Sequence, residues 1–358
     1  METIMIKEIN YLGKHYKSKV PFPLISQEEH AEIKEMWYKK PNKEEVLYEM
    51  ASLRHGSIKM PLITKYYFRS LMDNTVVYRC KWSINEVMQS REVLSMFVDR
   101  IKNNKKVFSS DNICDNIDTA FRLGGSSVAK KVAQFPLATV DYILEKYNIN
   151  NNWYDYSCGW GARLAGALKN RVNYYGTDPN YLLVDKLAEF DQDYKNTQMK
   201  GLKPTATHIK CQGSEKFVPE WENTIGLAFS SPPYFLLEDY KIGEQSYKEG
   251  VSYQMWLDNY MLPTFKNIHK YLIDEGFFIV NIKDFGGYAL EKDTIDCAEK
   301  AGFYLKTIET LKNSARPASI GGGKYKIVDC DENIYVFCKK GFNPCTKAPE
   351  VVSIFDFL

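Results

Sequence analysis

The sequence predicts an α/β fold: a doubly wound, mostly parallel, seven-stranded sheet with a terminal antiparallel hairpin, preceded by a mainly helical N-terminal region. After residue 150, short apolar runs alternate with amphipathic stretches, as in a parallel sheet with helices on both faces. Before residue 130, apolar residues recur at helical spacing instead. We therefore divide the 358 residues into an N-terminal region (1–130), a sheet domain (131–345) and a tail (346–358).

Three segments of the chain before residue 150 carry the signals of helix starts. Ser26 precedes an acidic first turn, which predicts a helix beginning there. Ser83 precedes an amphipathic stretch that we predict as one helix over 83–104. A third helix covers 135–149, with Pro136 at a permitted early position. The first 60 residues otherwise follow no clear pattern.

The sheet domain alternates strands and helices with short connections. The predicted helices are 162–170, 181–197, 253–273 and 293–302. The predicted strands are 153–157, 173–179, 205–214, 224–231, 276–284, 303–310 and 333–340, of which the last two form the terminal hairpin.

The composition argues against several classes of protein. The net charge is only +2, so no chain-wide basic field attracts polyanions. The 8 cysteines form no CxxC pair and the 5 histidines are scattered, which predicts free thiols in a reducing cytoplasm and no metal site. Charges interrupt the N-terminal segment and no run of about 18 apolar residues occurs, so we expect neither a signal peptide nor a membrane span.

The first strand of the sheet domain ends in a glycine-rich turn. Ligands of such sheets bind at the carboxyl ends of the strands. Asp155 closes the strand, and Gly159 and Gly161 permit a tight turn that lets a ligand approach the backbone. A turn that only packs the next helix on the strand would use the same glycines. Leu164 breaks the GxGxxG pattern and no GxxxxGK[ST] occurs, so neither the dinucleotide fingerprint nor the P-loop is present.

The next two strand ends are also polar. Asp178 closes the second strand, where a carboxylate would hold a pair of ribose hydroxyls. A helix N-cap explains Asp178 equally well. After the third strand, the run Gly213, Ser214, Glu215 fits the edge of an adenine ring or a plain turn.

The fourth strand end carries the most specific sequence, "FSSPPYF" over 229–235. Two consecutive prolines fix two φ angles and remove two N–H donors. The carbonyl oxygens there are therefore rigid and have no competing local donors. Fixed acceptors suit an amino group that must be held, and the aromatic ring after them suits stacking on a planar base. Such a base has to leave the duplex.

These motifs resemble the class I S-adenosylmethionine-dependent methyltransferases, specifically the amino-methyltransferases of DNA. The catalytic motif of that family is (D/N/S)-P-P-(Y/F/W), and this chain has Ser231-Pro232-Pro233-Tyr234. The glycine-rich motif of the family is matched by DYSCGWG at 155–161, and its acidic second-strand position by Asp178. QFP at 134–136 is similar to the segment that folds over the methionine end of the cofactor.

The resemblance covers about residues 130–340. Within it, the series of motifs is similar to that of methylases of phages and large DNA viruses. It implies a Rossmann-like methyltransferase sheet and the cytoplasm of a bacterial or virus-infected cell. It also implies S-adenosylmethionine as the cofactor. Asp155, Gly159 and Gly161 would surround its methionine and ribose, and Asp178 would take the ribose hydroxyls. The other implied cofactor contacts are Phe135, Pro136, Ser157, Gly213 and Ser214.

The resemblance further implies that the substrate is a base flipped out of duplex DNA. Ser231 and the carbonyl of Pro232 would accept hydrogen bonds from its amine, Pro233 would keep the turn rigid, and Tyr234 would stack on the ring. Transfer would be direct and in line, with positioning and electrostatics supplying the rate. Serine at the first motif position favours N4 of cytosine, whereas Asp or Asn favours N6 of adenine. An RNA or protein-amide methyltransferase and a non-catalytic nucleic-acid-binding scaffold remain alternatives.

Contacts to DNA are expected outside the sheet. Segment 54–110 contains 11 Lys/Arg against 4 Asp/Glu, a balance typical of phosphate contacts. A solvated helical face over an aromatic core is the alternative. The loops 236–253 and 313–326 are further candidates, or mobile connectors. The aromatic residues interleaved in the basic segment are Tyr66, Tyr67, Phe68, Tyr78, Trp82 and Phe97.

Overall fold

The structure is a computed structural model. It describes residues 4–123, 127–197, 205–247, 250–311 and 331–342, together with the backbone of 316–321 and 324–328. The predicted tail 346–358 lies outside the described residues.

Helices occupy both halves of the chain, and two of them contain a π-helical turn, Thr64–Phe68 in α3 and Leu257–Met261 in α10. The helices are α1 (Gln27–Tyr38), α2 (Lys43–Arg54), α3 (61–72), α4 (Ile84–Gln89), α5 (Arg91–Lys102), α6 (Ile113–Leu123), α7 (Leu137–Tyr147), α8 (Ala162–Lys169), α9 (Tyr181–Asn196), α10 (253–271) and α11 (Leu290–Lys300).

Strands belong to one large sheet and three two-stranded ribbons. They are β1 (Met5–Tyr11), β2 (Lys14–Pro23), β3 (Val76–Val77), β4 (Asn152–Asp155), β5 (Asn173–Asp178), β6 (Thr207–Cys211), β7 (Ile225–Ser230), β8 (Glu238–Asp239), β9 (Leu272–Asn281), β10 (Phe303–Leu311), β11 (Arg316–Gly321), β12 (Lys324–Val328) and β13 (Glu332–Lys339).

The large sheet has seven strands in the order β10-β13-β9-β7-β4-β5-β6. Strands β4, β5, β6, β7 and β9 pair in parallel, and β13 lies antiparallel between β9 and β10. The predicted doubly wound sheet and its terminal antiparallel pair are therefore confirmed, and the fold is the methyltransferase-like one that the resemblance implies. The winding direction reverses between β4 and β7, which is where such sheets bind ligands.

Helices cover both faces of this sheet, which explains its apolar strands. All six residues of β7 are buried, as expected for a strand packed on both sides. Helices α7, α8 and α9 pack on one face and α10 and α11 on the other. In the described part of the chain, no helix has both the length and the apolar character needed to cross a bilayer.

The N-terminal region is helical as predicted, but it begins with the β1–β2 hairpin, which the sequence pattern did not reveal. The hairpin packs on α5 and shares an apolar core with α1 and α6 through buried residues such as Ile9 and Phe22. Ser26 is the N-cap of α1, since its Oγ accepts the Glu29 N–H at 3.0 Å. The single helix predicted over 83–104 is wrong. It breaks at Ser90, whose extended backbone ends α4 and whose Oγ caps α5.

The apolar cores divide the N-terminal region differently from its sequence boundary at residue 130. Residues 4–37 and 82–129 contribute a core of their own. Residues 46–77, from α2 through β3, instead join the core beneath α7, α8 and α9. This middle segment is therefore built into the sheet domain and reaches its ligand-binding edge.

Candidate active site

A cavity of ≈ 650 Å³ opens at the carboxyl edge of the sheet. This volume lies within the range of about 300–1,000 Å³ that small-molecule sites occupy. Residues that follow five parallel strands line it: Ser157 after β4, Asp178 at the end of β5, Gly213 after β6, Ser231 after β7 and Lys283 after β9. Of the thirteen residues predicted for the site, eleven line the cavity: Phe135, Pro136, Ser157, Gly159, Asp178, Gly213, Ser214, Ser231, Pro232, Pro233 and Tyr234.

Asp155 lies behind the cavity wall rather than in it. Its carboxylate is fully buried and accepts hydrogen bonds from Arg163 Nε at 2.8 Å and the Tyr174 hydroxyl at 2.7 Å. The Ser157 N–H, at 3.3 Å, is a third donor, and Arg163 also donates to the Ser157 carbonyl. The ion pair thus fixes the start of the glycine turn. Asp155 thus supports the turn from behind instead of making the expected direct contact, because it is fully buried and does not line the cavity.

The two glycines of the turn differ in what they face. Gly159, with φ 58°, lines the cavity. Gly161, with φ 80°, faces the Phe68 ring, and a Cβ there would lie 2.4 Å from two ring carbons. Gly161 therefore permits the close approach of α3 rather than that of a ligand, which differs from the predicted contact. The glycine turn is also hydrogen-bonded to Gln134, which precedes Phe135. The Gln134 Nε2 donates to the Trp160 carbonyl at 2.7 Å and to Thr64 Oγ1 at 3.1 Å.

Asp178 is a half-buried carboxyl on the cavity wall. Its Oδ1 accepts the Asn180 N–H at 3.0 Å. Burial raises its pKa to about 7, although the N–H groups of Asn180 and Gly159 oppose the rise. The N-cap of α9 is Asn180, whose side chain accepts from Leu182 N and Leu183 N. Because Asn180 caps the helix, the carboxyl of Asp178 remains on the cavity.

The part of the cavity wall that follows β6 is also fixed. Ser214 is 2% exposed, its Oγ shares a hydrogen bond of 2.9 Å with Thr264 Oγ1, and its carbonyl accepts from Asn267 Nδ2 at 3.0 Å. Phe135 packs on Phe229 at 5.6 Å between ring centroids, next to the Ser230 end of β7. These contacts tie the predicted cofactor residues to buried elements.

The Ser-Pro-Pro-Tyr segment leaves β7 directly into the cavity. The carbonyl of Ser230, just before it, accepts from the Tyr156 hydroxyl at 3.2 Å. Pro232 is buried, and Ser231, Pro233 and Tyr234 are half-buried. Burial, reinforced by the charge of Glu332, raises the pKa of Tyr234 well above its usual range, so the phenol keeps its proton.

The structure adds a second set of cavity residues that the sequence analysis missed. Asn281 is the last residue of β9, Lys283 follows that strand, and Glu332 begins β13. The strand-end rule applied to the fifth strand would have found the first two. Glu238 comes from β8, which pairs with β3 of the N-terminal region through Val77↔Glu238. Burial raises the pKa of Glu238 to about 7. The pairing of β3 with β8 involves two residues of each strand, which is too short for a sequence pattern to predict.

The basic and aromatic segment 54–110 does not present its rings as predicted. Tyr67, Phe68, Trp82 and Phe97 are at most 1% exposed and belong to the apolar cores, so they cannot stack on bases. Tyr66 is half-buried beneath Lys43. Tyr78 remains near the cavity, packed against Phe285 at 5.0 Å. The alternative, an aromatic core under a solvated face, fits most of the segment.

The two candidate loops have different outcomes. Part of the first, 236–253, lines the cavity through residues such as Tyr240 and Gln245. In the second, 316–321 and 324–328 form the β11–β12 hairpin, while 312–315 and 322–323 lie outside the described residues. Its basic side chains Arg316, Lys324 and Lys326 are likewise outside the described part.

Comparison by sequence gives no assignment: no protein-family model and no curated protein matches the chain.

Comparison by structure finds many methyltransferases. A putative RNA methyltransferase from Pyrococcus horikoshii has 15% identity and a TM-score of 0.35, covering 57% of this chain and 86% of its own. A SAM-dependent O-methyltransferase from Thermotoga maritima has 10% identity and a TM-score of 0.38, with coverage of 61% and 69%. A TehB-like SAM-dependent methyltransferase from Corynebacterium glutamicum has 16% identity and a TM-score of 0.35, with coverage of 57% and 87%. At such values the fold assignment rests on the strand order of the chain itself.

The ion pair behind the glycine turn gives a stability prediction. Arg163→Met leaves the Asp155 carboxylate buried without its cation, so we expect a loss of about 3–5 kcal/mol in the free energy of unfolding. Adding Asp155→Asn removes the orphaned charge and should recover part of the loss. Urea unfolding of the three proteins measures both effects.

The matched control is Lys186→Met, which removes an exposed ion pair with Glu189. Exposed pairs contribute about 0–1 kcal/mol. Equal losses for Arg163→Met and Lys186→Met would contradict a structural role of the buried pair.

Proposed function

We propose that this chain is an S-adenosylmethionine-dependent methyltransferase that modifies the exocyclic amino group of a base in DNA, with N4 of cytosine favoured. The observation that carries the proposal is that one cavity is lined both by Ser231-Pro232-Pro233-Tyr234 and by Phe135, Gly159, Asp178 and Ser214. An amine acceptor and a nucleoside cradle therefore adjoin each other.

The residues of the cradle fit the cofactor. Asp178 offers a carboxyl oxygen to a ribose diol, while the positive φ of Gly159 leaves room against the backbone. Carboxyl groups outnumber cations on the wall, where Lys283 also lies and Arg163 is paired with Asp155. A positively charged sulfonium suits such a wall. Bound there, the cofactor would supply the methyl group.

The target side is suited to a neutral amine. Ser231 Oγ and the Pro232 carbonyl are acceptors on a backbone that two proline rings fix. Tyr234 presents a protonated, half-buried ring for stacking. These groups would align the amine lone pair with the methyl group. Such positioning lowers the activation barrier for methyl transfer. Water exclusion comes from the surrounding Pro232, Tyr240 and Trp256.

The choice of base rests on Ser231, because serine at this position favours cytosine N4 in the family that the motif resembles. N6 of adenine is the alternative within the same chemistry. An RNA or protein-amide substrate would use the same acceptors. A scaffold without catalysis would still hold the cofactor residues but transfer no methyl group.

The direct test is methyl transfer from tritiated S-adenosylmethionine to unmethylated duplex DNA, followed by mass spectrometry of the nucleosides. We expect N4-methylcytosine from the wild type. Tyr234→Ala should lower the rate at least about 100-fold, because stacking and alignment of the base are lost. Tyr48→Ala, which truncates a tyrosine 80% exposed, is the matched control and should retain the rate.

N6-methyladenine as the product would keep the enzyme class and overturn the choice of base. Binding of the cofactor without transfer to DNA would redirect the proposal to RNA or protein amides. Failure to bind the cofactor would leave the non-catalytic nucleic-acid-binding scaffold as the remaining hypothesis.

Cofactor binding should depend on pH through Asp178. Its ionised form accepts the ribose hydroxyls, and its pKa is raised to about 7 by burial. The carboxylate population therefore increases through neutrality, and the affinity for S-adenosylmethionine should increase about tenfold between pH 6 and pH 8. Calorimetric titration measures this slope.

Asp178→Asn should bind more weakly and with a flat profile. Glu238→Gln is the control, because Glu238 titrates in the same range on the same cavity and should leave the slope in place. A slope that survives Asp178→Asn would contradict the assignment.

A further inference from the structure

Leu236 occupies a turn position that favours glycine. The Leu237 N–H donates to the Tyr234 carbonyl at 3.2 Å, which closes a four-residue turn from Tyr234 to Leu237. Leu236 is its third residue and has φ 62°, whereas Phe235 has no positive φ. Glycine or asparagine is the usual residue at such a position because a Cβ is strained there. A leucine in this place indicates that the side chain itself has a use.

The turn places Leu236 between two residues that line the cavity. Tyr234 and Leu237 line it, while Leu236 is not a lining residue and is 37% exposed. The turn is anchored, because the Tyr78 N–H donates to the Leu237 carbonyl at 2.8 Å and β8 follows at once. Leu236 is thus an apolar residue projecting from a fixed rim.

Arg79 lies on the N-terminal side of the same rim. It is exposed, has φ 63°, and its guanidinium lies 5.0 Å from the centroid of the Tyr78 ring. Tyr78 packs on Phe285, and Phe285 packs on Tyr234 at 6.3 Å. Among the described residues, no carboxylate forms an ion pair with Arg79. Arg79, a cation without a carboxylate partner among the described residues, is therefore connected by ring contacts to the Ser-Pro-Pro-Tyr segment and through its neighbour Tyr78 to the turn that carries Leu236.

We propose that Leu236 is a wedge that enters the base stack of duplex DNA when the target base leaves it, with Arg79 beside it on a backbone phosphate. The inference rests on the proposed function. Extruding a base opens a gap in the stack, and apolar side chains such as leucine are suited to filling or prising such steps. An anchored turn keeps the wedge next to the acceptors that receive the base. Leu236 is accordingly a positioning residue, required for a paired base and not for an unpaired one.

A strained, exposed leucine does not by itself indicate a wedge. The chain contains a second such leucine, Leu12, with which Leu236 can be compared. Leu12, in the β1–β2 turn, has φ 51° and is 57% exposed. Its hairpin packs on the N-terminal core rather than beside the cavity. Leu12→Gly therefore removes the same side chain and relieves the same kind of strain at a site away from the cavity, which makes it the matched control.

The experiment uses the full chain and an oligonucleotide carrying a sequence that the wild type methylates. Methyl transfer is measured on the duplex, on the target strand alone, and on a duplex mispaired at the target base. For Leu236→Gly we expect kcat/KM on the paired duplex to fall at least about tenfold, because unstacking a paired base costs most. On the single strand it should stay within about twofold, and the mispaired duplex should lie between them. Leu12→Gly should match the wild type on all three.

The Tm of the Leu236→Gly variant distinguishes a wedge from a residue that only stabilises the fold. Leu236→Gly relieves a positive φ, so its Tm should not fall. Arg79→Gln should weaken duplex binding and reduce the slope of log affinity against log salt by about 0.9, the contribution of one phosphate contact.

Equal losses on the duplex and the single strand would overturn the wedge and show that the turn only supports Tyr234. An unchanged rate on all three substrates would also overturn it. If the wild type bound the cofactor but methylated no DNA in any form, the proposed function would fail first, and the wedge with it.

Discussion

The parallel alignment of five strands is the constraint on which the rest of the site depends. Pairs such as Asp155↔Gly176, Asp178↔Cys211 and Ser230↔Val280 bring the strand ends to one edge. The polar groups that follow these ends meet there, although Ser157 and Lys283 are 126 positions apart in the chain. The complete burial of β7 keeps the Ser-Pro-Pro-Tyr segment at the centre of that edge. A register shift of one residue would turn every side chain on that strand to the other face.

The N-terminal region is part of this site and not an appendage to it. Phe68 packs against the backbone of Gly161. The Thr64 hydroxyl accepts a hydrogen bond from Gln134, which precedes Phe135, and β3 pairs with β8. Each contact fixes a loop that lines the cavity. The rim that we associate with DNA, Arg79 and Leu236, lies at the junction of the two parts. The proposed DNA-contacting rim and the cavity therefore share one framework.

The sequence predicted what depends on local pattern and failed where distant pairing decides. Alternating apolar runs were sufficient for the sheet, and strand-end motifs together with the family resemblance were sufficient for eleven cavity residues. Asp155 lies behind the cavity wall instead of lining it, because it pairs with Arg163 at the start of α8, which the sequence pattern does not reveal. The helix over 83–104 was predicted as continuous because apolar periodicity continues through Ser90, where a side-chain cap restarts it. Glu238 was missed because a two-residue strand becomes recognisable only with its partner.

The central claim is that one cavity joins a nucleoside cradle to the Ser-Pro-Pro-Tyr acceptors. The most direct measurement is a crystal structure of the chain with S-adenosylhomocysteine. We expect the ligand in this cavity, with its ribose hydroxyls about 2.6–3.2 Å from the Asp178 carboxylate and its sulfur directed at Ser231 and the Pro232 carbonyl. A ligand bound elsewhere, or with its sulfur directed away from these acceptors, would contradict this claim.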